Sequence, residues 1–259
     1  MAHPSVRGER DLLRFLTLPV ALAVAAVVAA TWYVTWSTAD LMMGLLMLPT
    51  DPSAGLGLAV AFALIVVMMV AMMLPAAVPM ILGYRGMTRL EGGRPTKAAD
   101  DVGTLVFIVP YFLVWGLFGL LALVGLMALG WIGPLTGTLA LLPAATLVAA
   151  GAYQLTRTKE VCLRHCQSPT GFVMHHWRSG RTGAFRMGLR HSAYCIGCCW
   201  LFMIVLFVAG SMSLLGMGVL SVAIFAEKVG TRPVATSRAV AAILLVLGGI
   251  MAVRALDMF

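Results

Sequence analysis

The sequence predicts an all-α fold, a polytopic bundle of transmembrane helices, and three observations predict it. Hydrophobic residues make up 61% of the 259-residue chain and charged residues 11%, about half the charged share of a water-soluble domain. Mean hydropathy is +0.98. The apolar residues gather into segments approaching the roughly 20 residues that cross a bilayer. In lipid, a helix is the structure that satisfies its own backbone polar groups.

Seven such segments occur along the chain. Phe15–Trp36 is too long for the h-region of a signal peptide, and no small-residue cleavage site comes before Trp32 and Trp36. Leu56–Leu82, Val102–Leu129, Ile132–Leu155 and His191–Ala209 are the next spans. Met212–Ala226 is short, and Gly210, Gly216 and Gly218 loosen its start, so it reads as a thin span or a re-entrant half-helix. Ala239–Arg254 is the last. The expectation is about seven spans, or six if Met212–Ala226 turns back.

Lysine and arginine set the orientation. With seven spans and a cytoplasmic N-terminus, every lysine and arginine except Arg254 falls on the inner side, while Asp40 and Asp51 fall in the first outer loop. Six spans would carry Lys228, Arg232 and Arg238 to the outside. The net charge of +8 is then a matter of topology and of anionic lipid head groups. No DNA- or RNA-binding motif accompanies it. The chain reads as one membrane domain over 1–259, in a bacterial cytoplasmic (inner) membrane. Gly83–Asp101 reads as a plain connector that includes Lys97. Thr156–Arg190 is a longer basic inner segment with seven basic residues against one acid, Glu160. Its first part is expected to continue the preceding helix to Cys166, until Ser168-Pro169-Thr170-Gly171 stops it. Phe172, Val173 and Trp177 place the next stretch in the membrane interface.

All five cysteines fall in the inner half, as Cys162-x-x-x-Cys166 and as Cys195-Ile196-Gly197-Cys198-Cys199. In a reducing compartment, clustered cysteines point to metal or redox chemistry before disulfides. Cys162 and Cys166 share a helix face. His191, Cys195 and Cys199 stack on one stripe with Cys198 beside it, roughly 7–13 Å inside the edge marked by Arg190. A lone cysteine in such a helix is a small buried hydrophobe; three within five residues, one turn after a histidine, form a candidate ligand set. Gly197 leaves room for a neighbouring helix.

Methionine is abundant, at 18 residues. Met68 with Met72 and Met69 with Met73 are two i,i+4 pairs, and Met80 lies toward the inner edge. Met42, Met43 and Met47 belong to the outer loop, and Met212 and Met217 to the outer end of the sixth segment. Methionine stripes at helical spacing are usually packing. Together with thiolates, however, thioethers favour Cu(I). The order from outer methionines through mid-membrane methionines to inner cysteines suggests a ladder from weaker to stronger ligands. Pro75 frees a backbone carbonyl beside Met72 and Met73 for a polar ligand or water; Pro110 does so in the third segment. Glu227 and Lys228 read as a local interfacial pair, although a carboxylate turned into the bundle would be functional. Asp40 is a solvated acid at an entrance. His175 and His176 are interfacial, and His165 is solvated.

Several blocks resemble a bacterial family, a domain of unknown function, described as predicted metal-binding integral membrane proteins. They are Ala71-Met72-Met73-Leu74-Pro75, Cys162-Leu163-x-x-Cys166-x-x-Pro169, Gly188 leading to Cys195-x-Gly197-Cys198-Cys199-Trp200, Gly210-x-Met212, and Glu227-Lys228. The resemblance runs from the second segment to the sixth and implies a metal without naming it. The Met-x-x-x-Met spacing is also similar to that of Ctr-type copper transporters, as one short pattern and not as a fold.

The expected metal ligands are therefore Cys195, Cys198, Cys199, His191, Cys162 and Cys166, with Met68, Met69, Met72, Met73, Met80, Met212 and Glu227. The first functional expectation is Cu(I) handling, as uptake or delivery to a membrane or soluble metalloprotein partner. The alternatives are an accessory subunit braced by zinc, for which Cys₃His is a normal set, and a thiol–disulfide oxidoreductase, which usually turns its cysteines to the oxidising side. No Ser-His-Asp arrangement, Gly-x-Ser-x-Gly, His-Glu-x-x-His or phosphate loop points to an ordinary hydrolase.

Overall fold

The chain forms an all-α bundle. The computed structural model describes residues 6–41, 55–91, 94–95, 98–132, 140–208 and 214–257. Among the expected residues, Met42, Met43, Met47, Asp51, Lys97, Gly210 and Met212 lie outside them. The helices are α1 Val6–Ser37, α2 Gly55–Thr88, α3 Asp101–Ile132, α4 Leu142–Gln154, α5 Arg157–Gln167, α6 Pro169–His176, α7 Gly180–Val208, α8 Leu214–Val229 and α9 Pro233–Leu256. A two-residue antiparallel ladder pairs Leu90–Glu91 with Arg94–Pro95, so the expected plain connector contains a short strand pair.

Within α2, α3, α7 and α9, Ala59–Thr88, Asp101–Gly125, Gly180–Val208 and Pro233–Leu256 are long and apolar enough to cross a membrane, and α1 adds the apolar stretch Ala21–Ser37. The helices α4 and α8, with 13 and 16 residues, are shorter than the roughly 20 of a full span. Outward-facing Leu105, Leu113, Leu117 and Leu121 on α3, and Ile243, Val246 and Ile250 on α9, are exposed. They leave apolar flanks of the kind that lipid covers.

The helix α2 is the central element. It is apolar on all sides and packs against α1, α3, α6 and α8. Pro75 has no N–H to give the carbonyl four residues earlier. The freed Ala71 carbonyl accepts instead from the Trp32 indole N–H at 3.0 Å, so a side chain of α1 takes the place expected for a ligand or water. On α7, Gly188 crosses α3 so closely that a β-carbon there would stand 2.1 Å from the Phe107 carbonyl oxygen. Only glycine permits this approach.

The basic segment differs from expectation in two ways. The helix does not run unbroken to Cys166. It ends at Gln154, turns through Leu155, and restarts at Arg157 with the Thr156 hydroxyl accepting from the Lys159 amide at 3.3 Å, a serine/threonine N-cap. The stop at Ser168 is where expected, but Pro169 at once opens α6, where the missing N–H costs nothing. Phe172 and Val173 are 3% and 0% exposed. They belong to the core against α2 and not to the interface, while Trp177 is partly exposed, at 42%.

Candidate metal centre

Residues of α2, α3, α5, α7 and α8 converge on the cysteines. Cys195, Cys198 and Cys199 are buried on α7, Cys166 is buried on α5, and Cys162 is half-buried; all five thiols are free. Gly197 does what its position suggested. A β-carbon there would lie 2.6 Å from Cys162 Sγ, so the missing side chain seats the α5 thiol against α7. Cys198 lies close enough to the Cys166, Cys195 and Cys199 thiols to interact with them electrostatically. The two cysteine motifs therefore meet where α5 packs on α7.

Within α7 the thiols also satisfy the backbone. Cys198 Sγ donates to the Cys195 carbonyl at 3.1 Å, and Cys199 Sγ to the same oxygen at 2.7 Å, the back-bonding open to short polar side chains in helices. In these rotamers, no three His, Cys, Asp or Glu groups among the described residues gather at metal-binding geometry. On α5, the hydrogen bond to Cys198, and then burial, hold the Cys166 thiol well above the usual thiol range. Burial pushes Cys162 up as well. Metal binding at either must therefore expel a proton.

Met68, Met69, Met72, Met73 and Met80 are all at most 1% exposed. Both i,i+4 pairs thus lie inside the bundle, as does Met217. Burial alone does not separate packing from ligation. Met73 stands apart because its Sδ lies 3.8 Å from Cys199 Sγ. Two sulfurs bound to one ion at about 2.3 Å, at about 109–120°, stand about 3.8–4.0 Å apart. The separation is also ordinary sulfur–sulfur contact. Tyr111 of α3 links both helices, donating to the Met73 carbonyl at 3.0 Å and lying 3.6 Å from Cys195 Sγ.

His191 is 4% exposed. Its ring stacks on Phe107 and Tyr111 with centroids 6.1 and 5.9 Å away, and Phe172 presents an edge at 5.9 Å. Neither ring nitrogen has a hydrogen-bond partner among the described residues. An unpaired buried polar atom is costly and calls for a physical cause; a ligand one turn from Cys195 is such a cause.

The charged residues correct the sequence reading. Glu227 does not pair with its neighbour Lys228. Its carboxylate accepts from Lys159 Nζ at 2.7 Å and from Gln154 Nε2 at 2.8 Å, and the side chains of Lys159 and Glu227 are each 2% exposed. Lys159 also donates to the Cys198 carbonyl. Lys228, itself buried, reaches Cys195 Sγ at 2.9 Å. With Glu227 engaged by Lys159, the sulfur is the group positioned to balance this ammonium. Sequence reasoning missed Lys159, although its i,i+7 spacing to Cys166 puts both on the buried stripe of α5. His165 is not solvated alone but stacks on Tyr194, with centroids 4.1 Å apart. Asp40 is exposed.

A family model described as copper chaperone, PpoB2, matches residues 62–251. The chain belongs to this copper chaperone family. The match runs from α2 into α9 and so contains the buried methionines, both cysteine motifs and the Lys159–Glu227 pair. No curated protein and no solved structure matches the chain. For the copper chaperone family the donor chemistry here is apt. Thiols and thioethers are soft ligands that suit Cu(I), and they lie within one buried region.

Proposed function

We propose that this copper chaperone works within a membrane, taking Cu(I) as cargo between α2 and α7 and passing it to a metalloprotein partner. The observation that carries the reading is the contact of Met73 Sδ with Cys199 Sγ at 3.8 Å, which joins the methionine and cysteine motifs from separate helices. In this reading Met73 and Cys199 hold the ion. Cys195, or the unpaired nitrogens of His191, complete a low-coordinate site. Cys198, Cys166 and Cys162 offer a thiol relay toward α5. Met68, Met69, Met72 and Met80 line the approach. Glu227 acts through Lys159, which grips the Cys198 carbonyl. Lys228 supplies the counter-charge for a thiolate at Cys195 and must shift when Cu(I) arrives.

Copper is favoured over zinc by the donors. A zinc set needs four converging N, S or O ligands, whereas Cu(I) accepts a thioether and a thiolate. The exposed apolar flanks support lipid as the surrounding solvent. The one-sided distribution of lysine and arginine supports seven spans with a cytoplasmic N-terminus in a bacterial inner membrane.

Anaerobic titration of the detergent-solubilised protein against a chromophoric Cu(I) chelator tests this. The wild type is expected to retain Cu(I). Cys199→Ser and Met73→Leu should each weaken retention by more than about tenfold, the effect of a 1.4 kcal/mol loss. Equal retention by all three proteins would overturn the reading.

A further inference from the structure

We infer that a cavity between the end of α6 and the first turns of α7 binds the phosphate of an anionic phospholipid. The cavity is about 390 Å³, and its charged lining is His176, Arg178, Arg186 and Arg190. No acidic side chain lines it. Two arginines outside the cavity do find carboxylates: Arg85 holds Asp101 at 2.8 Å, and Arg164 pairs with Glu160. The three guanidiniums of the cavity have no hydrogen-bond or ion-pair partner among the described residues. Arg178, Arg186 and Arg190 are exposed, so water screens part of their mutual repulsion; an anion between them relieves the rest, and guanidinium matches a phosphate oxygen pair.

The remaining lining separates a lipid from a free phosphate. Met187, Leu189 and Ala193 supply an apolar wall. Arg186, Arg190 and Ala193 stand at i, i+4 and i+7 along α7, so one stripe passes from cationic to apolar as the helix enters its apolar run. Leu189 and Phe185 are exposed beside it. Trp177, between His176 and Arg178, is partly exposed and packs on Tyr84 at 5.9 Å; such an indole marks the head-group level. His176 is fixed by a contact of Nδ1 with the Phe172 carbonyl at 2.9 Å and by packing on the Phe172 ring. Nε2 is then the nitrogen left to meet a ligand. A phospholipid, with its phosphate against the cations and an acyl chain along Leu189 and Ala193, fits this polarity; inorganic phosphate leaves the apolar wall unused.

Native mass spectrometry of the full chain in detergent, with equimolar phosphatidylglycerol and phosphatidylcholine, reads the preference from single-lipid adducts. Wild type should prefer phosphatidylglycerol. Arg186→Gln/Arg190→Gln should lower that preference by about 5-fold per arginine. Arg157→Gln/Arg232→Gln, an equal charge change at equally exposed residues outside the cavity, should leave it unchanged. If the cavity double variant does not fold, Arg178→Gln in the α6–α7 connection reads the same quantity and should lose about 5-fold. Equal losses in the cavity and control variants would overturn the site in favour of a diffuse basic face. Displacement of the lipid by an equal concentration of inorganic phosphate would overturn the lipid as ligand.

Discussion

Replacing Glu227 by glutamine isolates the electrostatic joint between α5 and α8. The Lys159–Glu227 pair is 2.7 Å long with both side chains 2% exposed, so neither charge has water to fall back on. Breaking a buried pair by removing one partner costs about 3–5 kcal/mol. The lower end, about 3 kcal/mol, is expected because Lys159 keeps the Cys198 carbonyl and lies 4.9 Å from the Phe202 ring centroid, a cation–π distance. For a chain of this size that is a fall in melting midpoint of about 6–12 °C. Lys159→Met combined with Glu227→Gln removes both charges and should recover most of the loss, since an apolar substitute for a buried pair is often neutral. A thiol-reactive dye reports unfolding directly, because Cys166, Cys195, Cys198 and Cys199 are buried. A single variant melting within about 3 °C of wild type, or a double variant no more stable than the single, would refute the reasoning.

The close helix crossings give a graded pair. Gly188→Ala sets a β-carbon 2.1 Å from a backbone oxygen that cannot step aside, while Gly197→Ala meets the Cys162 thiol at 2.6 Å. The first should therefore abolish folded yield. The second should cost about 1–3 kcal/mol of overpacking, relieved by adding Cys162→Ala, as monomer recovery after heating reads out. Cys162, the half-buried thiol, should react with iodoacetamide before the other four, and quantitative peptide mapping checks the order. Because burial raises its pKa above the ordinary 9.0, less thiolate is present at any lower pH. The rate–pH midpoint should lie above 9.0, and a midpoint below it would contradict the burial.

The all-α class was legible in composition, because a chain this poor in charge must hide its backbone in helices. The approach of a helix at Gly197 and the sharing of a stripe by Cys195 and Cys199 were legible as well, since both arise from helical spacing. The role of Glu227 was not. It depends on α4, α5 and α8 meeting, and no local spacing connects Lys159, 68 residues away, to that carboxylate. The break at Leu155 escaped because Thr156 was read as part of a continuing helix and not as a cap. Phe172 and Val173 looked interfacial because a basic segment surrounds them, yet α6 folds back under α2. Met73 could not be singled out among its neighbours, since α2 is apolar on every side and offers no polar face from which to read its orientation.

On the proposed reading, a thioether of α2 and a thiolate of α7 hold the same copper. X-ray absorption at the copper edge, on Cu(I)-loaded protein grown with selenomethionine, tests it most directly. A selenium scatterer is expected beside sulfur in the first shell, absent from Met73→Leu and retained in Met68→Leu. A first shell without selenium in the wild-type sequence, or one unchanged in Met73→Leu, would contradict it.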